Sequence, residues 1–578
     1  MTTSLVDAES VLAVDLGSVL TRVLLFDTVD GQYRFIASGV APSTAGAPYS
    51  DIGEGINQAL YQLQEVTGRV LVDPEGRLIM PAQPDGSGLD RLTIVFSAGP
   101  ELRVVTVGLL EDVSLESANR LVEMTYGQVV EQIGINDRRR PEVQVDAILQ
   151  ARPDLVLLAG GADRGATRSV AKMVELITLA LQTTLPEQRP DILYAGNQVL
   201  AKRLKEVLSK LTTVHLAPNI RPSIDLEELE PASEVLAQVI GKVRSSQVGG
   251  LEGLGKISTT PLIPAAQAFG RMIGYLSKIY DPQKGVLGVD LGQTYSTIAA
   301  GVGGQTALRT FPLGMGAGIQ STLADLNIED VSRWLPVPIG DDVLRDYLWQ
   351  RSLRPGMVPV TVEALAMEQA AARHILTLMM QGLQTRWPDL HNAFEPILAA
   401  GSVLSQWSSP GQSLLTILDG LQPVGITTVL LDAYGLLGSL GSISSHNALM
   451  PVQVLESNAF INLGTVICPL SEGRYGTPLL KVRIEYESGE ETQLEVRQGM
   501  LTALPIRNGQ TARIHFSPLR RVVIDPNRKD RIRSFKVVGG LCGAVIDTRG
   551  RPLVLPRDAA RRRDMIRKWQ TALGGSVV

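Results

Sequence analysis

Along most of the chain, short β-branched and leucine-rich runs alternate with longer segments whose apolar positions recur at helical spacing, the pattern of an α/β protein. "VLAVDLG" at 11–17, followed by "TRVLLFDT", reads as two strands joined by a tight turn. "LTIVFSAG" and "LRVVTVGLL" read as further strands, neighbours in one sheet. The segment 114–134 places Leu115, Ala118, Leu121, Val122 and Val129 near helical spacing, which predicts one helix capped at Gly134. Apolar strands closing on small or polar turn residues follow at 154–165, 191–197 and 213–219. Such strand ends are where α/β proteins hold ligands.

The texture is less regular over 222–285, with the acidic "DLEELEPASE" and the Gly-rich "QVGGLEGLGK", and a domain junction is expected there. "VLGVDLG" at 286–292 then repeats the first strand and turn almost letter for letter. A helix is predicted over 361–383 and a strand over 395–401. Beyond about residue 470, apolar and polar residues alternate between Gly, Asn and Pro turns, as in a small β domain, and a basic helix closes the chain. The expected division is 1–285, 286–468 and 469–578.

With 578 residues, the chain exceeds what one core sustains. Hydrophobic residues at 44% and charged residues at 20% are the balance of a folded chain and exclude extended disorder. A net charge of −5 gives no general attraction for nucleic acid or an anionic membrane, and the Arg runs at 138–140 and 561–563 lack interleaved aromatics. No apolar run approaches the roughly 20 residues of a membrane span, and the first residues carry no secretory pattern. A soluble cytoplasmic protein is expected, with no nucleic-acid or membrane partner; a homo-oligomer is compatible with the chain. Cys468 and Cys542, with five scattered histidines, make neither a disulfide framework nor a zinc pattern.

The repeated segment carries the candidate chemistry. A buried strand ending in Asp-x-Gly, then Ser or Thr and a second strand, forms a hairpin whose backbone N–H groups can face phosphate, and glycine permits the close approach. In the first copy Gly17 and Ser18 form the turn, and Asp15 sits where a carboxylate can hold Mg²⁺ or its water shell. In the second, Gly292, Gln293 and Thr294 form the turn, with Asp290 as the acid. One Asp-x-Gly at a strand end is most often an ordinary turn. Two equivalent hairpins, facing across a cleft, would grip a nucleotide's phosphates from both sides. "GLEGLGKI" at 250–257 has Gly250, Gly255 and Lys256 at P-loop spacing but fails at Ile257, where Ser or Thr should hold magnesium, and reads as linker. "LGMGAGIQ" at 313–320 reads as a turn and helix start.

The pair of hairpins resembles the actin, hexokinase and seventy-kilodalton heat-shock protein superfamily, which implies duplicated actin-like, ribonuclease H-like α/β ATPase domains, here with a C-terminal β-rich addition. "PILAAGSVLS" at 396–405 resembles its adenosine motif, so Ala400, Gly401 and Ser402 would line the nucleoside pocket. "LDAYGLLGSLGSI" at 431–443 resembles the small-residue helix that follows. Asp163 in "LAGGADRG" resembles a residue that polarises the attacking water or hydroxyl, though a surface-turn aspartate is an equal reading. The whole chain is similar to the MutL family associated with glutamate mutase, carried by "VDLGSVLTRVLLFD", "LVLLAGGADRG" and "DILYAGNQ", with departures at Ala162, Arg164 and Gln293. That resemblance implies ATP and Mg²⁺ as cofactors, Asp15 and Asp290 as metal ligands, and an adenosylcobalamin-dependent mutase as partner, reactivated by cofactor exchange as the domains close over Mg·ATP and reopen on hydrolysis. A small-molecule kinase and an actin-like scaffold of the same fold are the rival readings.

Overall fold

Val11–Leu16 forms strand β1, buried on both faces as its near-continuous apolar run requires. The computed structural model describes residues 9–574 except 164, 282, 326, 391, 408 and 527–531. The chain divides into two units, Met1–Gly31 with Ile36–Ala268 and Gln32–Phe35 with Phe269–Val578.

In the first unit β1 pairs antiparallel with β2 (Leu20–Val29), which leads into β3 (Gln32–Pro42), and parallel with β4 (Arg91–Phe96). After β4 the N–H groups of Ser97 and Ala98 both donate to the Leu16 carbonyl at 2.9 Å. The chain then leaves this sheet and builds another from β5 (Leu102–Val107), β6 (Gly127–Ile133), β7 (Leu155–Leu158), β8 (Asp191–Tyr194) and β9 (Val214–Leu216). All its pairings are parallel, in the order β6-β5-β7-β8-β9, and Val105, Val107, Val156, Leu158 and Ile192 belong to one core with the helices that cross it. A short strand, β10 (Ile263–Pro264), returns to β4, so the first sheet reads β10-β4-β1-β2-β3.

Two local expectations change here. The segments "LTIVFSAG" and "LRVVTVGLL" belong to β4 and β5, in different sheets, because the chain departs between them. The single helix expected over 114–134 ends at Glu123, and Gly127–Ile133 is strand β6. Leu121 and Val122 do face the core from that helix, but the β-branched pair Val129–Val130 lies in a strand paired with β5, a tertiary contact that overrides the helical spacing. "GLEGLGKI" is a short helix, Leu251–Ile257, and Lys256 is exposed and paired with Glu252 at 2.9 Å, which ends the P-loop comparison.

The second unit repeats the first sheet. β11 (Val286–Leu291), β12 (Ser296–Val302), β13 (Gln305–Phe311), β14 (Ile397–Ala400) and β15 (Gly425–Leu431) run in the order β13-β12-β11-β14-β15, again antiparallel on one side of the central strand and parallel on the other. The long helix Val362–Arg386 begins at Thr361, whose hydroxyl accepts from Ala364 N at 3.1 Å, and packs Ile375, Leu376 and Met379 into the core that holds Leu287 and Val289.

This sheet continues through β16 (Ile461–Cys468) to Ala544–Asp547 and Leu501–Leu504, so late segments of the chain complete it. Four other segments, Pro478–Tyr486, Glu491–Arg497, Thr511–Pro518 and Ser534–Val538, form a separate antiparallel sheet. Its apolar face shares one core with Ile426, Ile467 and Ile546 of the long sheet. A buried ionic network ties the long helix Val362–Arg386 and Asp419 to the strand Ala544–Asp547 and the residues just after it. Arg373 and Arg549 each bond one oxygen of Asp419, at 2.7 and 2.6 Å, while Arg549 and Arg551 bond Asp547 at 2.8 and 2.7 Å. Against the push of burial, those two guanidiniums hold Asp547 below the ordinary carboxylate range. Among the described residues no helix is long and apolar enough to cross a membrane.

Candidate functional site

The first hairpin turns at Gly17, whose N–H donates to the Leu20 carbonyl at 3.0 Å. A Cβ on Gly17 would stand 2.6 Å from that carbonyl oxygen, so the tight turn demands glycine. Ser18 is exposed at its tip. Asp15 lies opposite Arg22 in the ladder, and the guanidinium pairs with the carboxylate at 3.2 Å. Burial pushes the Asp15 carboxyl above its ordinary range, with Arg22 pulling the other way.

The second hairpin is built on the same register, with Thr297 opposite Asp290. A Cβ on Gly292 would meet the Tyr295 carbonyl oxygen at 2.1 Å. This turn is braced from outside. The N–H of Met315 donates to Gly292 O at 3.0 Å, and those of Gly316 and Gly318 to Gln293 O at 2.8 and 3.1 Å. The approach is so close that a Cβ on Gly318 would stand 2.1 Å from Thr294 O, and one on Gly314 2.5 Å from Gln293 O. "LGMGAGIQ" therefore does form a turn and a helix start, at Ile319–Asp325, but its glycines at every second position also let the loop close on the hairpin. That spacing was the available signal for a role the residue pattern alone left unassigned.

Beside this hairpin, β14 pairs Ala400 with Asp290. Gly401 follows at φ +104°, a conformation that favours glycine, and a Cβ there would lie 2.2 Å from Leu291 O. Ser402 opens the short helix Ser402–Ser405, and its hydroxyl accepts from the Gln293 side-chain amide at 3.4 Å. Asp290, Gly292, Gln293, Thr294, Ala400, Gly401 and Ser402 are thus brought together at one end of one sheet. Asp432, buried after β15, accepts from the N–H groups of Gly435 and Leu437 at 2.8 Å each and so caps the small-residue helix Leu436–Ile443.

Asp163 lies in the loop after β7 of the inserted sheet. Its Oδ1 accepts from Gln198 N at 3.1 Å and from the Asn219 side chain at 2.9 Å, linking the loops that follow β7, β8 and β9. Arg164, one of the family departures, lies outside the described residues.

At Gly17, Gly292 and Gly401 a Cβ would collide with the carbonyl oxygens of Leu20, Tyr295 and Leu291, so each turn closes only on glycine. Each hairpin carries one carboxylate at the end of its first strand, Asp15 or Asp290. Among the described residues no cluster of three His, Cys, Asp or Glu could hold a metal alone. Asp15 pairs with the Arg22 guanidinium at 3.2 Å.

Two sheets of one strand order, each opening on an antiparallel glycine hairpin, define a protein of the actin-like ATPase fold class. A family model described as MutL protein matches residues 11–459, and the chain belongs to that family, the type associated with glutamate mutase and not the mismatch-repair protein of the same name. No curated protein matches the chain. It is similar to the solved structure of acetone carboxylase in its nucleotide-free form, with 12% identity over 85% of this chain and 81% of that one and a TM-score of 0.35. It is also similar to diol dehydratase-reactivating factor in nucleotide-free form (11% identity, 76% of this chain, 99% of that one, TM-score 0.31). Gluconate kinase from Lactobacillus acidophilus gives 11% identity, 77% of this chain, 92% of that one and a TM-score of 0.31.

Proposed function

We propose that the protein binds and hydrolyses Mg·ATP at its glycine hairpins and uses that cycle to reactivate an adenosylcobalamin-dependent mutase of the glutamate mutase type by exchange of damaged cofactor. The observation that carries the reading is the repetition, in a MutL-family chain, of a strand-turn-strand unit whose glycine leaves no room for a side chain. The turns at Gly17–Ser18 and at Gly292, Gln293 and Thr294 hold the phosphates, and Ala400, Gly401 and Ser402 hold the nucleoside. Asp15 and Asp290 are the carboxylates that would hold the metal and its water shell. Magnesium, when bound, supplies charge neutralisation to the phosphates. In this reading 1–285 and 286–468 are the ATPase halves, and within 469–578, two strands of which complete the second half's sheet, partner recognition falls to the separate four-stranded sheet.

The test is release of damaged corrinoid from a purified mutase, followed spectroscopically with wild type, Asp15→Ala and Asp290→Ala in Mg·ATP. ATP-dependent release by wild type, lost in Asp290→Ala, is the expected result. Hydrolysis by the wild type with no release of corrinoid would leave the hairpins as a nucleotide site and remove the mutase.

A further inference from the structure

Gln293 is the residue that departs from a simple glycine turn, and its side chain has a definite arrangement. Its amide nitrogen donates to Ser402 Oγ at 3.4 Å, which holds the carboxamide against the nucleoside turn. Its amide oxygen is buried and has no hydrogen-bond partner among the described residues. A buried amide oxygen without a donor costs free energy on the order of 1–3 kcal/mol, so its retention asks for a partner that arrives with the ligand. Space is kept for it: a Cβ on Gly316 would stand 2.9 Å from that oxygen.

The chemistry of the missing donor narrows the choice. An amide oxygen only accepts. Phosphate oxygens carry no donor at neutral pH, so they cannot satisfy it. The oxygen belongs to the turn between Gly292 and Thr294, the phosphate end of the site, and the donor available beside a terminal phosphate is water. A glutamine amide that orients the attacking water is an established device in nucleotide hydrolysis.

We propose, resting on the nucleotide reading above, that Gln293 is the positioning residue for the attacking water. The water oxygen bonds the γ-phosphorus while the bond from that phosphorus to the β–γ bridging oxygen breaks. The electron pair leaves on ADP, and the proton shed by the water goes to the γ-phosphate oxygens and departs with inorganic phosphate. Gln293 takes no proton, since a carboxamide is not a base at this pH; it fixes the direction of attack. Ser402 holds the other end of the same amide, so the nucleoside turn and the water are aligned through one side chain.

The experiment measures Mg·ATP affinity by calorimetry and phosphate release in a single turnover, for wild type, Gln293→Leu and Gln293→Glu. Gln293→Leu should slow turnover roughly 10- to 100-fold, the cost of a misplaced reactant, while the dissociation constant stays within about 3-fold, under 1 kcal/mol. Gln293→Glu keeps an acceptor and should retain more of the rate; should Gln293→Leu not fold, Gln293→Met replaces it. An unchanged rate in Gln293→Leu overturns the inference alone, as does a loss of affinity in proportion to rate, which would assign the oxygen to the nucleotide itself. Wild type that binds ATP without turnover overturns it and leaves the nucleotide site standing. Wild type that binds no nucleotide removes both.

Discussion

In the first glycine hairpin the residue opposite the aspartate is Arg22; in the second it is Thr297. The strand order around the two is the same, and so is the ladder position of each acid. What differs is support. The first turn closes on its own Leu20 carbonyl and answers its acid with a cation. The second is clasped by the 314–318 loop, abuts Gly401, and shares a side-chain hydrogen bond with Ser402. A duplicated element has kept its backbone in different surroundings: an arginine faces the acid in one copy, and a glycine loop closes on the turn in the other.

Alanine in the two turns tests that division most sharply. Gly292→Ala drives a Cβ into Tyr295 O in a turn that neighbours hold on several sides, and should cost about 3 kcal/mol or more and abolish nucleotide binding. Gly17→Ala meets one carbonyl in a less enclosed turn and should cost about 1–2 kcal/mol. Chemical denaturation of the two variants checks the order, and equal losses would erase the asymmetry.

The ion pair comes next. Burial raises the Asp15 carboxyl, so its protonated form suits the folded state, and the stability it contributes is present below about pH 4 and declines as pH rises through its raised value. Without Arg22 the ionised form loses its partner. Arg22→Ala should therefore destabilise little near pH 4 and by about 2 kcal/mol at pH 7, a pH-dependent difference that urea titrations at the two pH values would show. Thr297→Ala at the matching position should cost less than about 1 kcal/mol and show no such trend.

Gly318→Ala probes the clasp. Its Cβ would overlap Thr294 O, so the loop must back away, and Mg·ATP affinity should fall about 10-fold, or 1.4 kcal/mol, with the first turn untouched. The smallest effect is Ser402→Ala, which removes one long hydrogen bond and should change stability by less than about 0.5 kcal/mol, read as a melting shift near the limit of detection.

Much of this was legible beforehand. The "VDLG" repeat, the 361–383 helix, the 395–401 strand and the alternating β pattern beyond 470 are all local signals, and each appears as an element. The helix expected over 114–134 failed halfway because Val129 satisfies a helical period and a strand equally well, and only pairing with β5 decided between them. Asp163 likewise follows an apolar strand, β7 of the inserted sheet. Sequence carries the strand end but not the sheet to which it belongs.

By itself, then, the chain determined where strands turn on glycine and that one such turn is made twice, because tight backbone geometry and buried apolar runs leave marks on neighbouring residues. Tertiary structure alone decided what meets those turns. The clasp of Gly314, Gly316 and Gly318 on Gln293 and Thr294, the Gln293–Ser402 bond, and the union of Asp419 with Arg373 and Arg549 join residues far apart in the chain. Hydrogen bonds and charge act through space over a few ångströms, and no local pattern records which distant residue will arrive at that range.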